Sequence, residues 1–465
     1  MIITALSWWR FLAVAVRFRK HGMESYLVDA SGFKGHAERV LIPASETELF
    51  QIVAEASRDR TPVTISGAGT GVTGGRVAQS GWVVSLEKFQ RVEMEQGRAI
   101  VGAGVSLEAL QAAAARTNQF YAPDPTEWTA SIGGTVATDA SGSRSFRYGS
   151  TRKHILGLRV ALMDGRVLQV QRGDKLDFDV PGIPIPNTAK NTAGYRLTPG
   201  MDWIDLIAGS EGTLGIVMEA ELRLLPKPAE VLAGVVFLRD DEAALEAVES
   251  WRGLDGLRML EYFDRNSLAF LRQRFPETPE HAGAALLIEQ ENGDIDYWAD
   301  HAPEDSWFAA SDQDRERFRR FRHALPELVN DTMRRRGFLK LNTDFAVPLD
   351  RNREMLTYYH AGLRASGIDY VLFGHIGDAH LHANVLPNSE AEVTSAQTLL
   401  LDFARRAVAL GGTVSAEHGL GKRKAHLLEL QYTAAQIESM KAVKRRLDPE
   451  WLLNQGNLFP LRGKS

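Results

Sequence analysis

Cysteine is absent from all 465 residues, which excludes disulfides, thiolate nucleophiles and cysteine-ligated iron–sulfur clusters. Any electron-transfer role must therefore use an organic cofactor. A long hydrophobic run is missing from the N-terminus as well. The apolar stretch there covers only residues 11–16, between Arg10 and the group Arg17, Arg19 and Lys20. Six residues fall far short of the about 20 that span a bilayer, and short of a signal-peptide core. Residues 1–22 read as a disordered leader, with Met23 as an alternative start and a membrane-surface or targeting helix as the rival reading. An excess of positive charge is lacking too: 54 Lys and Arg face 59 Asp and Glu, a net charge of −5. That balance offers no electrostatic reason for a nucleic-acid partner. No internal repeat or low-complexity tract occurs, and the length allows two or three domains, each with its own core.

The hydrophobic pattern predicts a helix over 44–58, strands over 62–65, 82–86 and 99–103, and a helix over 107–116. Two β-rich runs within 155–172 flank Asp164-Gly165, a two-residue hairpin signal. A strand over 214–224 stops at Pro226-Lys-Pro228, a domain boundary. Beyond it, strands over 231–238, 259–263, 284–289, 339–347, 369–374 and 379–386 alternate with helices over 242–252, from 264, over 312–336, 351–365 and 390–409. This spacing predicts an α+β domain with a largely antiparallel sheet.

Ser66-Gly-Ala-Gly-Thr-Gly-Val-Thr-Gly-Gly75 holds five glycines in ten residues. Part of it matches G-x-G-x-x-G, but a Rossmann fingerprint must open a helix. Only six residues separate Gly75 from the strand at Trp82, too few for a crossover helix. The loop therefore joins two strands. Its glycines free backbone N–H groups to turn toward an anion, and Ser66, Thr70 and Thr73 add hydroxyls. A mobile surface linker is the bland reading, one that fits poorly between two buried strands. Two further segments supply small side chains and hydroxyls for an extended ligand. One runs from Pro123-Asp-Pro-Thr126 to Ala130-Ser-Ile-Gly-Gly-Thr-Val-Ala-Thr-Asp-Ala-Ser-Gly142, the other is Gly209-Ser-Glu-Gly-Thr-Leu-Gly-Ile-Val217.

Gly374-His-Ile-Gly-Asp-Ala-His-Leu-His382 and Ser415-Ala-Glu-His-Gly-Leu-Gly421 carry the second signal. In a strand His380 and His382 share one face, and His375 lies across the Gly377-Asp378 turn. Any two of the three histidines, with Glu417, make a ligand set of two imidazoles and a carboxylate that leaves positions open. A hydrogen-bonded core network with a Glu417–His418 ion pair is the structural alternative.

These three glycine-bearing segments resemble the FAD domain of vanillyl-alcohol-oxidase-type flavoproteins. The wider resemblance, over about 40–459, is to the branch containing D-lactate, glycolate and D-2-hydroxyglutarate dehydrogenases. It implies an α+β protein: a two-part FAD-binding domain over 23–228 after the leader, a substrate or cap domain over 229–430 with largely antiparallel sheet, and a segment over 431–465 returning to the flavin. The implied flavin contacts are Ser66, Gly67, Gly69, Thr70, Gly71, Thr73 and Gly74 in the first loop. Pro123, Ser131, Gly133, Gly134, Ala137, Thr138 and Gly142 come from the second segment, Glu211, Gly212, Ile216 and Val217 from the third, and Asn454 from the tail. In Leu447-Asp-Pro-Glu-Trp-Leu-Leu-Asn454-Gln-Gly456 this chain departs from the family, with Gln455 where proline is usual and, just beyond, Asn457 where lysine is usual. No flavin-linking cysteine or histidine is evident, which implies non-covalent FAD.

The resemblance also implies His375, His382 and Glu417 as ligands of a divalent metal, Zn or Mn, with His418 as catalytic base. Arg322 is the implied fork for a substrate carboxylate, and His380, Asn384 and Asn342 complete the substrate set. Asn342 stands where the motif Lys340-Leu-Asn-Thr-Asp-Phe-Ala-Val-Pro348 has a lysine in relatives, which tilts the expectation from 2-hydroxyglutarate toward D-lactate or glycolate. The implied reaction takes a D-2-hydroxy acid to its 2-oxo acid by hydride transfer to flavin. Metal coordination acidifies a bound O–H by several pKa units, and an adjacent imidazole suits the proton. The electrons are expected to pass to a separate quinone, cytochrome or flavoprotein. A cytoplasmic enzyme, with room for peripheral membrane association and a homodimer, completes the expectation. Its rivals are an oxygen-using oxidase of the same fold, a flavin-binding subunit without catalysis, and a metal-binding module without flavin.

Overall fold

Ser45 accepts a hydrogen bond from the Glu48 N–H and so starts the first long helix, Glu46–Arg58. That helix buries Leu49, Ile52, Val53 and Ala56 against a small parallel sheet, with strands ordered Arg39–Leu41, Trp82–Ser85, Val63–Ser66. The computed structural model describes residues 2–3, 22–309 and 311–461. Most of the expected leader thus lies outside the described residues, although Ile2–Ile3 pairs antiparallel with Val167–Leu168. Among the described residues, no helix is long and apolar enough to cross a membrane.

A six-stranded antiparallel sheet faces the parallel one across shared apolar side chains, Ala103, Ala161 and Met218 among them. Its order is Ile2–Ile3, Val167–Gln171, Ile155–Ala161, Ile216–Arg223, Arg98–Gly102, Val92–Glu95. The hairpin within 155–172 turns differently from the expected two-residue form. Ala161 pairs with Val167, the Gly165 N–H bonds the Leu162 carbonyl, and only Gly165 has positive φ. That is a longer loop with its glycine in the left-handed position, because Asp164 keeps an ordinary backbone conformation.

The second half builds an eight-stranded antiparallel sheet. The order runs Trp307–Ala309, Val231–Leu238, Ala284–Glu291, Leu257–Asp264, Tyr370–His375, His380–Val385, Leu341–Asn342, and Phe345–Ala346 also pairs with His380–Val385. The single strand expected over 339–347 is therefore two short ones. The helix Asp312–Arg336 lays Phe318, Phe321, Leu325 and Val329 on one face of this sheet.

The chain's end closes back on the first half. The Val63 N–H bonds the Leu452 carbonyl, and the Asn454 N–H bonds the Val63 carbonyl. Lys444, 1% exposed, is held by Asp448 at 2.5 Å and by the carbonyls of Thr213 and Leu453. Asp448 in turn accepts the N–H groups of Leu452 and Leu453. A buried charge is tolerated only when so fully paired, and this pairing fixes where the tail turns.

Candidate active site: a glycine-walled cleft and a histidine–carboxylate cluster

The loop 67–81 links two parallel strands without a crossover helix, and from residue 69 to 75 its N–H groups find no acceptor among the described residues. Six of these seven residues, all but Gly74, border a cleft, and their donors form an anion cradle. The cleft has a volume of about 360 Å3 and is walled by this loop, by 130–142, by 210–217 and by Asn454. A Cβ built on Gly71 or Gly75 would meet nothing nearer than 3.7 Å, so these positions leave open space on the cleft side. Gly69 differs: it has φ +88°, and the Arg76 guanidinium sits 2.2 Å from where its Cβ would be. Only glycine fits there.

Most expected contact residues stand on this wall: Ser66, Gly67, Gly69, Thr70, Gly71, Thr73, Ser131, Gly133, Gly134, Ala137, Thr138, Gly142, Glu211, Gly212, Val217 and Asn454. Gly74, Pro123 and Ile216 do not. Gly74 turns toward Phe33, Pro125 and Thr126 line the cleft in place of Pro123, and Ile216 is fully buried in the core while Gly215 takes the wall. Strand alternation decides the last of these, since Gly215 and Val217 share a face that Ile216 does not. Within the small-residue segment expected to lie against an extended ligand, residues 132–138 form a short helix, Ile132–Thr138. Asn454 bonds the Glu211 carbonyl and accepts the Ile65 N–H, binding tail to cleft. Where the family pattern has lysine at 457, Lys422 reaches in from another segment and bonds Asn457 Oδ1 at 2.7 Å. Burial pushes the Glu211 carboxyl up to about 7, and it accepts the Leu420 and Gly421 N–H groups at 2.7 Å each.

The second cluster closes one end of the cleft. In the hairpin of Tyr370–His375 and His380–Val385, His375 pairs directly with His380 and Phe373 with His382, so all three imidazoles share a face. Gly374, at φ +130°, leaves room for the His382 ring, which lies 2.9 Å from its absent Cβ. His375 Nε2 and His382 Nε2 each lie 3.3 Å from Glu417 Oε1, and His418 Nε2 lies 3.5 Å away. The far nitrogens are occupied: His375 Nδ1 pairs with Glu261 at 2.5 Å and His382 Nδ1 with the Thr343 carbonyl at 3.2 Å. Second partners of this kind fix which nitrogen faces a metal. His375, His380, His382 and Glu417 bring ligand atoms within 4.8 Å of one another, a donor set that could hold a metal ion. Burial lowers His375, but Glu261 and Glu417 together outweigh it and carry the imidazole up to about 9, a proton that a metal would displace. Burial likewise opposes ionisation of Glu417, yet Lys190 and His375 hold its carboxyl well below the usual range.

Residues 37–171 match the FAD binding domain family, and residues 227–458 match the family of FAD linked oxidases, C-terminal domain. Across nearly its whole length the chain is 30% identical to the D-lactate dehydrogenase of Archaeoglobus fulgidus, over 444 residues and 90% of each chain. The chain belongs to the FAD-linked oxidase family. Its resemblance to the D-lactate, glycolate and D-2-hydroxyglutarate dehydrogenase branch holds among further relatives. It is 30% identical to glycolate oxidase subunit GlcD of Bacillus subtilis, covering 93% of this chain and 92% of that one. It is 30% identical to the D-2-hydroxyglutarate dehydrogenase of Xanthomonas citri, covering 90% and 89%. A solved alkyldihydroxyacetonephosphate synthase shares the fold, with a TM-score of 0.67 at 15% identity over 96% of this chain and 82% of that one. The chain is thus an FAD-linked oxidoreductase with the vanillyl-alcohol-oxidase-type fold, and the cleft lies within its FAD-binding half.

In this family member the remaining expected residues are sorted by burial. His418 lines the cleft beside Glu417, its side chain 25% exposed. His380 is fully buried, 3.2 Å from Asp344 and 4.0 Å from Glu417, and off the cleft wall. His380, expected at the substrate, thus stands behind His382 and away from the cleft wall. Asn342 and Asn384 face each other across paired strands, also off that wall, and bond the Thr343 and His382 carbonyls. Arg322 is half-buried against Glu261 at 2.8 Å and reaches Thr126 on the cleft wall at 3.0 Å.

Three functional neighbours escaped the reading of the sequence. Asp344, fully buried, accepts the Glu417 and His418 N–H groups and the Ser415 hydroxyl, and its Oδ1 lies 3.4 Å from His418 Nδ1. Glu261 couples Arg322 to His375. Lys190 donates to Glu417 at 3.2 Å and lies 3.3 Å from Asp378. Each is a single charged residue without a spacing pattern, and only Asp344 lay inside a segment with a family signal.

Proposed function

We propose that this FAD-linked oxidase oxidises a D-2-hydroxy acid, with D-lactate or glycolate favoured over D-2-hydroxyglutarate, to the 2-oxo acid. The observation that carries the reading is the meeting of His375, His382, Glu417 and His418 at one end of the cofactor cleft. Bound FAD, held non-covalently, would supply the hydride acceptor, and a divalent metal on His375, His382 and Glu417 would acidify the substrate hydroxyl.

The chain's own residues supply the rest. Burial pushes His418 down to about 4, so its imidazole is neutral near pH 7 and ready to accept a proton. Asp344 anchors the His418 backbone and stands beside Nδ1, which leaves Nε2 toward the substrate side. Glu261 holds Arg322 by one edge of its guanidinium, and the N–H groups not spent on Glu261 and Thr126 remain for a carboxylate. The 2-oxo product leaves by the same cleft, and the electrons pass to a separate acceptor such as a quinone, cytochrome or flavoprotein.

Replacing Arg322 by lysine keeps the charge but removes the planar fork. The expected result is a rise in KM for the acid of about tenfold or more with a smaller change in kcat, measured with an artificial electron acceptor. A KM that stays at the wild-type value would remove Arg322 from the substrate set.

The whole reading is tested by anaerobic addition of D-lactate, glycolate and D-2-hydroxyglutarate to metal-loaded holoprotein. Bleaching of the flavin band by one of these acids is the expected outcome. A yellow protein that none of them bleaches would overturn the substrate assignment and favour the non-catalytic flavin subunit.

A further inference from the structure

On the other side of the cofactor wall lies a second concavity, about 610 Å3 in volume, whose lining carries Arg152, Lys153, Arg172, Arg196 and Arg223 against the single carboxylate of Asp205. In a chain of net charge −5 this is a local reversal of sign. The five cations differ in how they are engaged. Arg152 forms the buried floor, paired with Asp139 at 3.0 Å and donating to the carbonyls of Asp205 and Ala208. Arg172 is held in place by Asp202 at 3.1 Å and Asp205 at 2.8 Å. Lys153, Arg196 and Arg223 are exposed and have no carboxylate partner among the described residues. They come from three separate parts of the chain: the short helix Thr151–His154, the loop after Tyr195, and the last residue of strand Ile216–Arg223. Their field is felt by a neighbour: burial lowers His154, and Arg223 and Lys153 lower it further.

We infer that this basin binds a small anion carrying a phosphate group, at a site separate from the cofactor cleft. Three unpaired cations converging on one concavity, beside an arginine already held by carboxylates, make the arrangement of donors that a phosphate oxygen cluster satisfies. Open, solvent-facing rims suit a ligand that enters and leaves. The basin also abuts the FAD site. Helix Trp203–Ile207 places Asp205 in the basin and Ile207 in the cleft, and Arg152 grips Asp139, which directly follows the cleft residue Thr138. The inference does not depend on the hydroxy-acid reading, because its test needs no turnover.

The experiment is calorimetric titration of FAD-loaded protein at fixed ionic strength with inorganic phosphate, with glycerol 3-phosphate, and with glycerol as the neutral control. The comparison protein is the triple variant Lys153→Gln, Arg196→Gln, Arg223→Gln, whose positions are exposed and lie outside the cofactor cleft. Its FAD absorbance and urea midpoint report that the fold is kept. Saturable binding in the wild type that weakens about tenfold or more in the variant is the expected result. Tighter binding of glycerol 3-phosphate than of phosphate would identify an organic phosphate as the ligand, and equal binding would identify free phosphate. No saturable heat with either anion, or equal affinity in the two proteins, would overturn the site.

Discussion

Substituting His418 by glutamine is expected to slow anaerobic flavin reduction by the substrate acid between about 100-fold and 10,000-fold. The range is what a positioned general base contributes, and three observations support the proposal that His418 is that base. It stands on the cleft wall, burial keeps it neutral near pH 7, and its backbone N–H donates to Asp344 at 3.0 Å. Glutamine preserves the backbone anchor and the approximate volume but cannot take up a proton. FAD content and bound metal should therefore match the wild type, while the reduction rate alone falls. Stopped-flow bleaching at saturating acid separates this from a binding defect, because loss of a base lowers the limiting rate rather than raising KM. A variant that bleaches at the wild-type rate would move the base role elsewhere.

Removing the metal should have an effect of comparable size by a different route. After chelation, bleaching by the substrate acid is expected to fall by at least about a hundredfold, and added Zn²⁺ or Mn²⁺ should restore it. The flavin spectrum should persist, since among the described residues His375, His380 and His382 stand off the wall of the cofactor cleft, which the cluster meets through Glu417 and His418. In the chain by itself, Lys190 at 3.2 Å and a protonated His375 answer the charge of Glu417. These groups keep the fold intact around the cluster, but they do nothing for a substrate hydroxyl. His382→Ala should reproduce the chelated state and resist rescue by added metal, because Nε2 of His382 meets Glu417 Oε1 at 3.3 Å. Protein shown by elemental analysis to be free of metal, yet bleached at the original rate, would eliminate the metal from the mechanism.

How far these sites could be read in advance depended on the kind of signal each residue leaves. The hairpin histidines were legible because strand alternation forces His380 and His382 onto one face. The glycine loop was legible for a similar reason, since a dense run of glycines between two strands has few purposes. What alternation could not supply was depth. His380 shares its face with His382 yet lies at zero exposure beneath the cluster, and only the packing of neighbouring strands puts it there. Ile216 belonged to the right segment but to the wrong side of it, while Gly215 and Val217 reach the cofactor wall.

The sequence by itself determined the local chemistry: an organic cofactor in place of thiol chemistry, a cradle of backbone donors, a cluster of imidazoles with a carboxylate, and the antiparallel character of the second half. Tertiary structure alone decided which buried charges serve that chemistry. Asp344 lies more than 70 positions before the loop it organises, Glu261 more than 110 before His375, and Lys190 more than 220 before Glu417. A lone charged residue carries no periodicity. Its role exists only once folding removes water from around it and brings partners of opposite charge within reach.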